Sequence, residues 1–267
     1  MLTSAETRRV APGVAWLRVS NTKELFRGMK AEHGTTMTLA GRSLSRIDGR
    51  ERVHTPGTLG LTQPGQVHCN VRRETPGSFQ LVTFDAWRIE DARSALDQRG
   101  SGTLEVDTID PRDPRADALR GLHRLMLSES ADEFAREVVI TEALTTLVSF
   151  LGSVQTSNSA LCRSVRRARD FLLMHVAEPV TLDAVAEHAR ADKFHLCRAF
   201  SHELGFPPYA FLTQARIARA RALLRRGLRP SEVAQLVGFC DQSQMHRHFV
   251  RIVGCTPAAY ARQEDRA

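Results

Sequence analysis

The first part of the chain alternates short runs of β-forming residues with turn signals. Residues 35–55 contain β-branched and aliphatic side chains on both sides of Asp48-Gly49, a dipeptide that favours a two-residue hairpin because both turn positions need a positive φ. Pro-Gly pairs beginning at Pro56, Pro64 and Pro76 bound the runs 58–63, 67–71 and 79–84. Short strands at this regular spacing predict a β-sandwich or barrel between residues 13 and 85.

The pattern then changes from alternation to a helical period. Residues 113–128 and 132–152 place apolar side chains three and four positions apart, which predicts two helices. The second helix carries apolar residues spaced four, three and four apart, a spacing typical of a heptad seam. These residues are Ile140, Leu144, Leu147 and Leu151. The stripe either packs on its own domain or forms an interface with a second copy.

The segment 153–160, SVQTSNSA, is polar and has no periodicity, so we interpret it as a linker between two domains. Beyond it, the apolar residues have helical spacing throughout. Thr181, Asp192 and Asp241 each precede such a run and are candidate helix N-caps. Gly205 and Gly238 follow apolar runs and are candidate helix ends. The last third of the chain is therefore predicted to be all-α.

Two pairs of these helices are joined by short turns, which is the organisation of a helix-turn-helix. The second helix of each pair carries amide and guanidinium groups, and such groups read adenine and guanine in the major groove. The candidate DNA-reading residues are Lys193, Phe194, Cys197 and Arg198 in the first unit, and Gln242, Ser243, Gln244, His246, Arg247 and Arg251 in the second. Flanking arginines that are candidates for phosphate contacts are Arg166, Arg219, Arg225 and Arg251. A generic helical pair within an enzyme is the alternative interpretation.

The segment 233–260 closely resembles the second helix-turn-helix of the AraC/XylS family of transcription regulators. The residues that match in order are Ala234, Gly238, Phe239, Asp241, Ser243, Arg247, Phe249, Gly254, Thr256, Pro257 and Tyr260, and Met245 stands where that family usually has Phe. Residues 193–209 resemble the first unit through Arg198, Phe200, Gly205, Pro208 and Tyr209. The resemblance implies two DNA-reading units joined by one helix, a homodimer formed by the helices after the β-domain, and RNA polymerase as a partner.

The segment 56–71 resembles, more loosely, the cupin-like sensor domain that precedes the DNA-binding part in many AraC-type regulators. The resemblance rests on the pairs at Pro56 and Pro64, the short strand between them, and His68. It implies a barrel whose mouth holds a small-molecule effector. Candidate ligand-binding residues are Trp16, Arg46, His54 and His68. The expected fold is α+β with two domains: a cupin-like sensor at 1–152, the linker at 153–160, and a DNA-binding domain at 161–267.

A metal-dependent cupin enzyme fused to a DNA-binding domain is the rival hypothesis. Cupins can bind a metal through a His-x-His pair, a Glu and a later His. The chain offers Glu32, His33, His54 and His68 but no His-x-His, and a catalytic metal needs at least three converging ligands. We therefore expect no metal, no cofactor and no catalytic residues. A third hypothesis is an architectural DNA binder that responds to no ligand.

Charge supports a nucleic-acid partner for the second half. The 267 residues include 37 basic and 30 acidic ones, and the segment 161–267 holds 17 of the former and 10 of the latter. The whole net charge of +7 thus lies in that segment, which favours a polyanionic partner, although a solvated basic surface would look the same. Five cysteines without a C-x-x-C pair suit a reducing cytoplasm. No leader opens the chain and no apolar run approaches the roughly 18 residues of a membrane span, so we expect a cytoplasmic protein without membrane contact.

Overall fold

The protein is described here by a computed structural model, which covers residues 4–98, 103–104, 106–110, 112–127, 132–152 and 162–264. A β-rich domain with three helices comes first and an all-α domain follows. The predicted α+β class with two domains is therefore confirmed. The predicted linker at 153–160 lies outside the described residues.

Ten strands are described in the N-terminal domain. They are β1 (Ser4–Ala11), β2 (Val14–Thr22), β3 (Arg27–Met29), β4 (His33–Ala40), β5 (Ser43–Ile47), β6 (Arg50–His54), β7 (Leu59–Thr62), β8 (Val67–Arg73), β9 (Gly77–Phe84) and β10 (Thr108–Ile109). One antiparallel sheet has the order β1-β2-β9-β4-β7-β10 and the other β3-β8-β5-β6. Asp48 and Gly49 connect β5 to β6 with φ values of 44° and 84°, so the hairpin predicted there is confirmed.

Alternation along the strands separates a helix-covered face from an inward face, because successive side chains of a strand point to opposite sides. In β2 and β9, Trp16 and Val82 pack into a core with helices, while Leu17 and Leu81 line an interior cavity. The covering helices are α1 (Ala86–Ala95), α2 (Ala116–Leu125) and α3 (Glu133–Ser149). Strands of both sheets line the same cavity.

The stripe on α3 is the centre of this core. Ile140, Leu144 and Leu147 of α3, and Leu151 just beyond its end, are each 8% exposed or less within a single chain, and they belong to the same core cluster as residues of the sheet and of α2. The prediction that this stripe forms a dimer seam is wrong. These residues pack on their own domain. A seam between subunits would instead be exposed in one isolated chain.

The C-terminal domain consists of α4 (Arg163–Met174), α5 (Leu182–Ala189), α6 (Lys193–Leu204), α7 (Pro208–Arg225), α8 (Pro230–Leu236), α9 (Gln242–Val253) and α10 (Pro257–Glu264). The predicted caps are confirmed at α5, α6 and α9. The side chains of Thr181, Asp192 and Asp241 accept hydrogen bonds from the backbone N–H three residues further on, at 3.2, 2.9 and 2.6 Å respectively. Each cap satisfies a donor that the first helical turn leaves unpaired.

Helix α7 belongs to the cores of both helix-turn-helix units. Phe211 and Leu212 near its start pack with α4, α5 and α6, whereas Ile217 and Leu224 further along pack with α8 and α9. Arg216 adds a polar link, since its guanidinium donates to the carbonyl oxygens of Val176 and Glu178 at 2.9 and 2.8 Å. One helix thus fixes the two units relative to each other.

The turn of the second unit lies directly against the first unit, and Gly238 is the residue that permits it. Its φ is +84°, and a Cβ there would meet the Ala177 carbonyl oxygen at 2.7 Å. Gly227 has almost the same φ, +82°, but open space around it.

We expect Gly227→Ala to cost about 1 kcal/mol of stability from the left-handed backbone. Gly238→Ala should cost roughly 1–3 kcal/mol more because of the clash. Urea denaturation of the two variants measures the difference, and equal losses would contradict this close approach.

Candidate nucleic-acid interface and ligand cavity

The first predicted reading helix, α6, presents its N-terminal half to solvent. Leu196 and Phe200 are buried in the domain core, so residues on the opposite face of the helix point outward. Phe194 is 70% exposed and Arg198 is also exposed. His195 is exposed beside them and was not selected from the sequence, although its position on the helix already placed it near Phe194. Cys197 is half-buried at the edge of this face.

The second predicted reading helix, α9, is oriented in the same way. Met245 and Phe249 are fully buried. The exposed side chains of Gln242, Ser243, His246 and Arg247 border a shallow concave surface, and Arg251 is exposed one turn further on. These side chains are the ones that a helix lying in a major groove would direct at base edges.

Several basic or amide residues chosen from the sequence have partners within the protein, including Arg251, whose guanidinium lies 2.9 Å from the His248 ring nitrogen Nδ1. Gln244 is half-buried and its Oε1 accepts from the Cys240 N–H at 3.0 Å, so its side chain completes the cap of α9. The Lys193 ammonium donates to Asp183 at 2.9 Å. Arg225, suggested for phosphate contact, is instead engaged with acidic residues of the N-terminal domain. Arg166 is half-buried and Arg219 is exposed.

A cavity of about 1230 Å³ lies between the two sheets and reaches the C-terminal domain. Inward-facing strand residues line most of it, and α7 contributes Gln214, Arg221 and Arg225. A drug-sized ligand needs a cavity of roughly 300–1,000 Å³, so this space is large enough for a small-molecule effector. The cavity therefore touches both the N-terminal domain and the helix that joins the two helix-turn-helix units.

The predicted pocket residues divide between this cavity and other surfaces. His54 and His68 line it with stacked rings whose centroids are 6.0 Å apart, and burial lowers the pKa of each imidazole below its ordinary value, so both rings are neutral near pH 7. Trp16 touches the edge of the cavity, but its ring packs in the helical core under the Arg8 guanidinium. Arg46 lies on the outer face of β5 and donates to the His202 carbonyl oxygen of α6 at 3.2 Å. The assignment of Arg46 to the pocket is wrong.

The residues considered for a metal do not converge. His54 and His68 are neighbours, but Glu32 is paired with arginines of α7, and His33 has a pKa lowered to about 4 by burial and by the nearby Arg93. In the part of the chain that the structure describes, no group of three or more His, Cys, Asp or Glu side chains is arranged to hold a metal ion. The rival hypothesis of a metal-dependent cupin enzyme therefore gains no support from this site.

Comparison with known proteins agrees with the two helix-turn-helix units. A helix-turn-helix domain family matches residues 185–263. The HTH-type transcriptional regulator YbfI of Bacillus subtilis (strain 168) is 34% identical over 214 residues, which cover 77% of this chain and 75% of that protein. This chain belongs to the AraC family of transcription regulators. The arabinose operon regulatory protein of Escherichia coli (strain K12) is 24% identical over 240 residues, 87% of this chain and 81% of that protein. ToxT of Vibrio cholerae, a solved structure, is 12% identical over 97% of this chain and 98% of its own, with a TM-score of 0.46.

As an AraC-family DNA-binding regulator, the chain carries an ion-pair cluster where its two domains meet. Glu32, just before β4, lies 2.6 Å from the Arg225 guanidinium and 3.5 Å from that of Arg221, and Arg225 also lies 3.7 Å from Asp85. Burial opposes ionisation of Glu32, but the two guanidiniums outweigh it and lower the pKa of this carboxyl group. We call Glu32, Asp85, Arg221 and Arg225 the interdomain cluster.

The outer face of the four-stranded sheet forms the second contact between the domains of this AraC-family chain. Arg27 donates to the Gly205 carbonyl oxygen at 3.0 Å, next to the bond between Arg46 and His202. Both carbonyls lie at the C-terminal end of α6, where cations stabilise a helix. Met29 and Val67 of the sheet also join the core of the first helix-turn-helix unit.

Among the described residues, no helix combines the length and apolar character that crossing a membrane requires.

Proposed function

We propose that this AraC-type regulator binds specific DNA sequences and that a small molecule in the cavity modulates its activity. The observation that carries this proposal is the position of the cavity, since its wall includes both sensor strands and α7. A ligand changes DNA binding only if it binds two states of the protein with different affinity. Filling a space bordered by α7 alters the contact between the sensor domain and the helix that fixes both reading units.

The proposal is tested on the full-length protein with duplexes selected from a random pool. We expect a recurring operator sequence that is bound about a thousand-fold or more tightly than unselected DNA. We also expect log Kd to rise with log salt concentration by ~0.9 per phosphate neutralised. Equal affinity for selected and unselected duplexes would favour the architectural DNA binder. Compounds that raise the melting temperature are then tested for a change in operator affinity.

Arg247 is proposed to read a base, because it is exposed on α9 beside Gln242 and His246. Arg247→Ala should cost about 1–3 kcal/mol at the selected operator and much less on unselected DNA, as expected for a bidentate contact to guanine. Arg219, exposed on α7, is the control: Arg219→Ala should weaken binding to all sequences alike. Fluorescence anisotropy on both DNA types measures the two variants. A uniform loss for Arg247→Ala would indicate a phosphate contact instead.

We also propose a homodimer, contact with RNA polymerase and a location in the cytoplasm. The family resemblance supports the first two, and a DNA-binding regulator of this type works in the cytoplasm. A dimer surface cannot include the buried stripe of α3, so it must lie elsewhere. On α3 itself, Phe134 and Val138 are exposed apolar residues on the outer face. Sedimentation of the full-length chain determines its oligomeric state.

A further inference from the structure

The wall of the cavity is strongly basic. Its lining residues include eight Lys or Arg side chains, against Glu32 and Asp85 as the acidic ones. Several of these cations are already paired: Arg225 with Glu32, and Arg27 with the Gly205 carbonyl oxygen. A basic cleft with walls of low dielectric constant attracts anions. The excess of basic side chains therefore indicates that the ligand is negatively charged.

Lys30 is the cation in this wall whose ammonium has no hydrogen-bond or ion-pair acceptor among the described residues. Its ammonium makes no hydrogen bond or ion pair within the described part of the chain, and it lies 5.1 Å from the centre of the Phe26 ring. Desolvation lowers the pKa of Lys30 to about 8, with Glu32 opposing this effect and Arg221 adding to it. A desolvated cation without an acceptor is costly for the folded protein. A carboxylate beside it would relieve that cost.

A line of ring contacts leads from Lys30 across the cavity. Phe26 contacts Lys30 on one side and the His68 ring on the other, with centroids of the two rings 6.1 Å apart. His68 in turn stacks on His54. These residues, together with Thr62, line the same space. A single ligand can therefore contact the ammonium at one end and the His54 and Thr62 side chains further along.

The wall beyond Lys30 presents polar atoms that lack partners. Thr62 is 4% exposed, and neither its Oγ1 nor the buried Nε2 of His54 has a hydrogen-bond partner. Hydroxyl groups of Thr36, Thr38 and Ser43 also line the cavity. Buried polar groups in native proteins are hydrogen-bonded in the large majority of cases. Unpaired ones in a ligand-sized cavity point to a ligand that carries hydroxyl or carbonyl groups.

We propose that the cavity binds a hydroxylated organic acid, with its carboxylate at the Lys30 ammonium and its hydroxyl groups toward Thr62 and His54. This proposal rests on the proposed function and specifies the class of effector. A neutral sugar would leave Lys30 unpaired, and a purely aliphatic acid would leave Thr62 and His54 unpaired. A site built to form hydrogen bonds rejects analogues that cannot form them.

The test uses full-length protein and calorimetric titration with matched probes. Gluconate, glucuronate and tartrate are the hydroxylated acids, glucose and sorbitol are the neutral counterparts, and octanoate is the aliphatic acid. We expect at least one hydroxylated acid to bind roughly 10- to 100-fold more tightly than the neutral and aliphatic probes, the range expected for hydrogen bonds to a charged group. Equal binding of a neutral counterpart, tighter binding of octanoate, or no binding by any hydroxylated acid would overturn the proposal.

The Lys30→Met variant tests whether Lys30 is the cation that contacts the ligand's carboxylate. It should weaken binding of the acid by roughly 10- to 100-fold, whereas Lys23→Met, which removes the same charge from an exposed loop residue, should leave the affinity within about two-fold, as for substitutions away from the site. Because desolvation holds the pKa of Lys30 below its ordinary value, the charged form costs stability, so Lys30→Met should melt no lower than wild type. Unchanged affinity in Lys30→Met would refute the assignment.

Thr62→Val is a nearly isosteric substitution that tests the other end of the proposed ligand. It should weaken binding of the hydroxylated acid and leave the affinity for octanoate unchanged, because only the hydroxylated acid has a group to pair with the threonine hydroxyl. Operator binding by the wild-type chain is measured separately. If specific DNA binding is found and no acid binds, only the ligand class fails. If acids bind and no specific DNA binding is found, the proposed function fails.

Discussion

Leu144→Glu is expected to unfold the N-terminal domain. Leu144 is 4% exposed and belongs to the apolar core that the sheet shares with α2 and α3, so the glutamate carboxylate would enter this core without a partner. A buried unpaired charge is among the most destabilising changes in a protein, and we expect a loss of about 4 kcal/mol or more in the free energy of unfolding. Near-ultraviolet circular dichroism and thermal denaturation of the full-length variant measure the loss.

Thr145→Glu is the matched control, because Thr145 is the next residue of α3 and is exposed. It introduces the same charge into the same helix and should change stability by no more than about 0.5 kcal/mol. If Leu144→Glu instead gave a folded chain that had only lost dimerisation, the stripe would be a subunit interface and its burial in one chain would be misleading. Sedimentation of both variants distinguishes these results.

Glu32→Gln is expected to weaken the junction between the domains. Glu32 is 9% exposed and Arg225 is 14% exposed on their side chains, so the substitution would leave the nearly buried Arg225 guanidinium, and the half-buried Arg221 beside it, without their shared carboxylate. Breaking a buried ion pair by removing one partner costs about 3–5 kcal/mol. We expect a loss of about 3 kcal/mol, since the amide retains a hydrogen-bond acceptor. Urea denaturation and limited proteolysis between the domains measure the effect.

The pH dependence supplies an internal check on this prediction. The folded-state pKa of Glu32 is lowered from the ordinary value of 4.5, so its contribution is present above that value and is lost as pH falls through the folded pKa. The stability difference between wild type and Glu32→Gln should therefore be largest near neutral pH and shrink in acid. Glu24→Gln, at an exposed loop position, should show almost no difference at any pH. A similar effect of both variants would mean that the interdomain cluster does not stabilise the junction.

Local signals in the sequence were sufficient to predict the C-terminal domain. A helix cap depends on one side chain and the backbone three residues further on, so Thr181, Asp192 and Asp241 were identifiable without knowledge of the rest of the fold. Gly205 and Gly238 follow the ends of α6 and α8 with positive φ for an equally local reason. The Asp48-Gly49 hairpin belongs to the same class. The exposed faces of α6 and α9 follow from the helical period alone.

Other predictions failed, or could not be made, because the deciding interaction is distant in sequence. Helix α1 was not predicted: only Ile89 along it is buried, so its amphipathic signal is weak. The side of the sheet that a strand residue faces changes with every single step of register, and this placed Arg46 against α6 and outside the cavity. Sequence spacing also could not distinguish a core stripe from a dimer seam, since both have the same period.

The sequence by itself determined the family, the two reading helices and the basic half that carries them, because caps, glycine turns and helical period act over a few residues. The tertiary structure decided what lies between the domains. Glu32 and Arg225 are 193 residues apart in the chain, and no periodicity links them. Their pairing, and the cavity beside Lys30, arise only when the N-terminal sheets pack on the C-terminal helices, since burial and desolvation depend on contacts that distant segments make together.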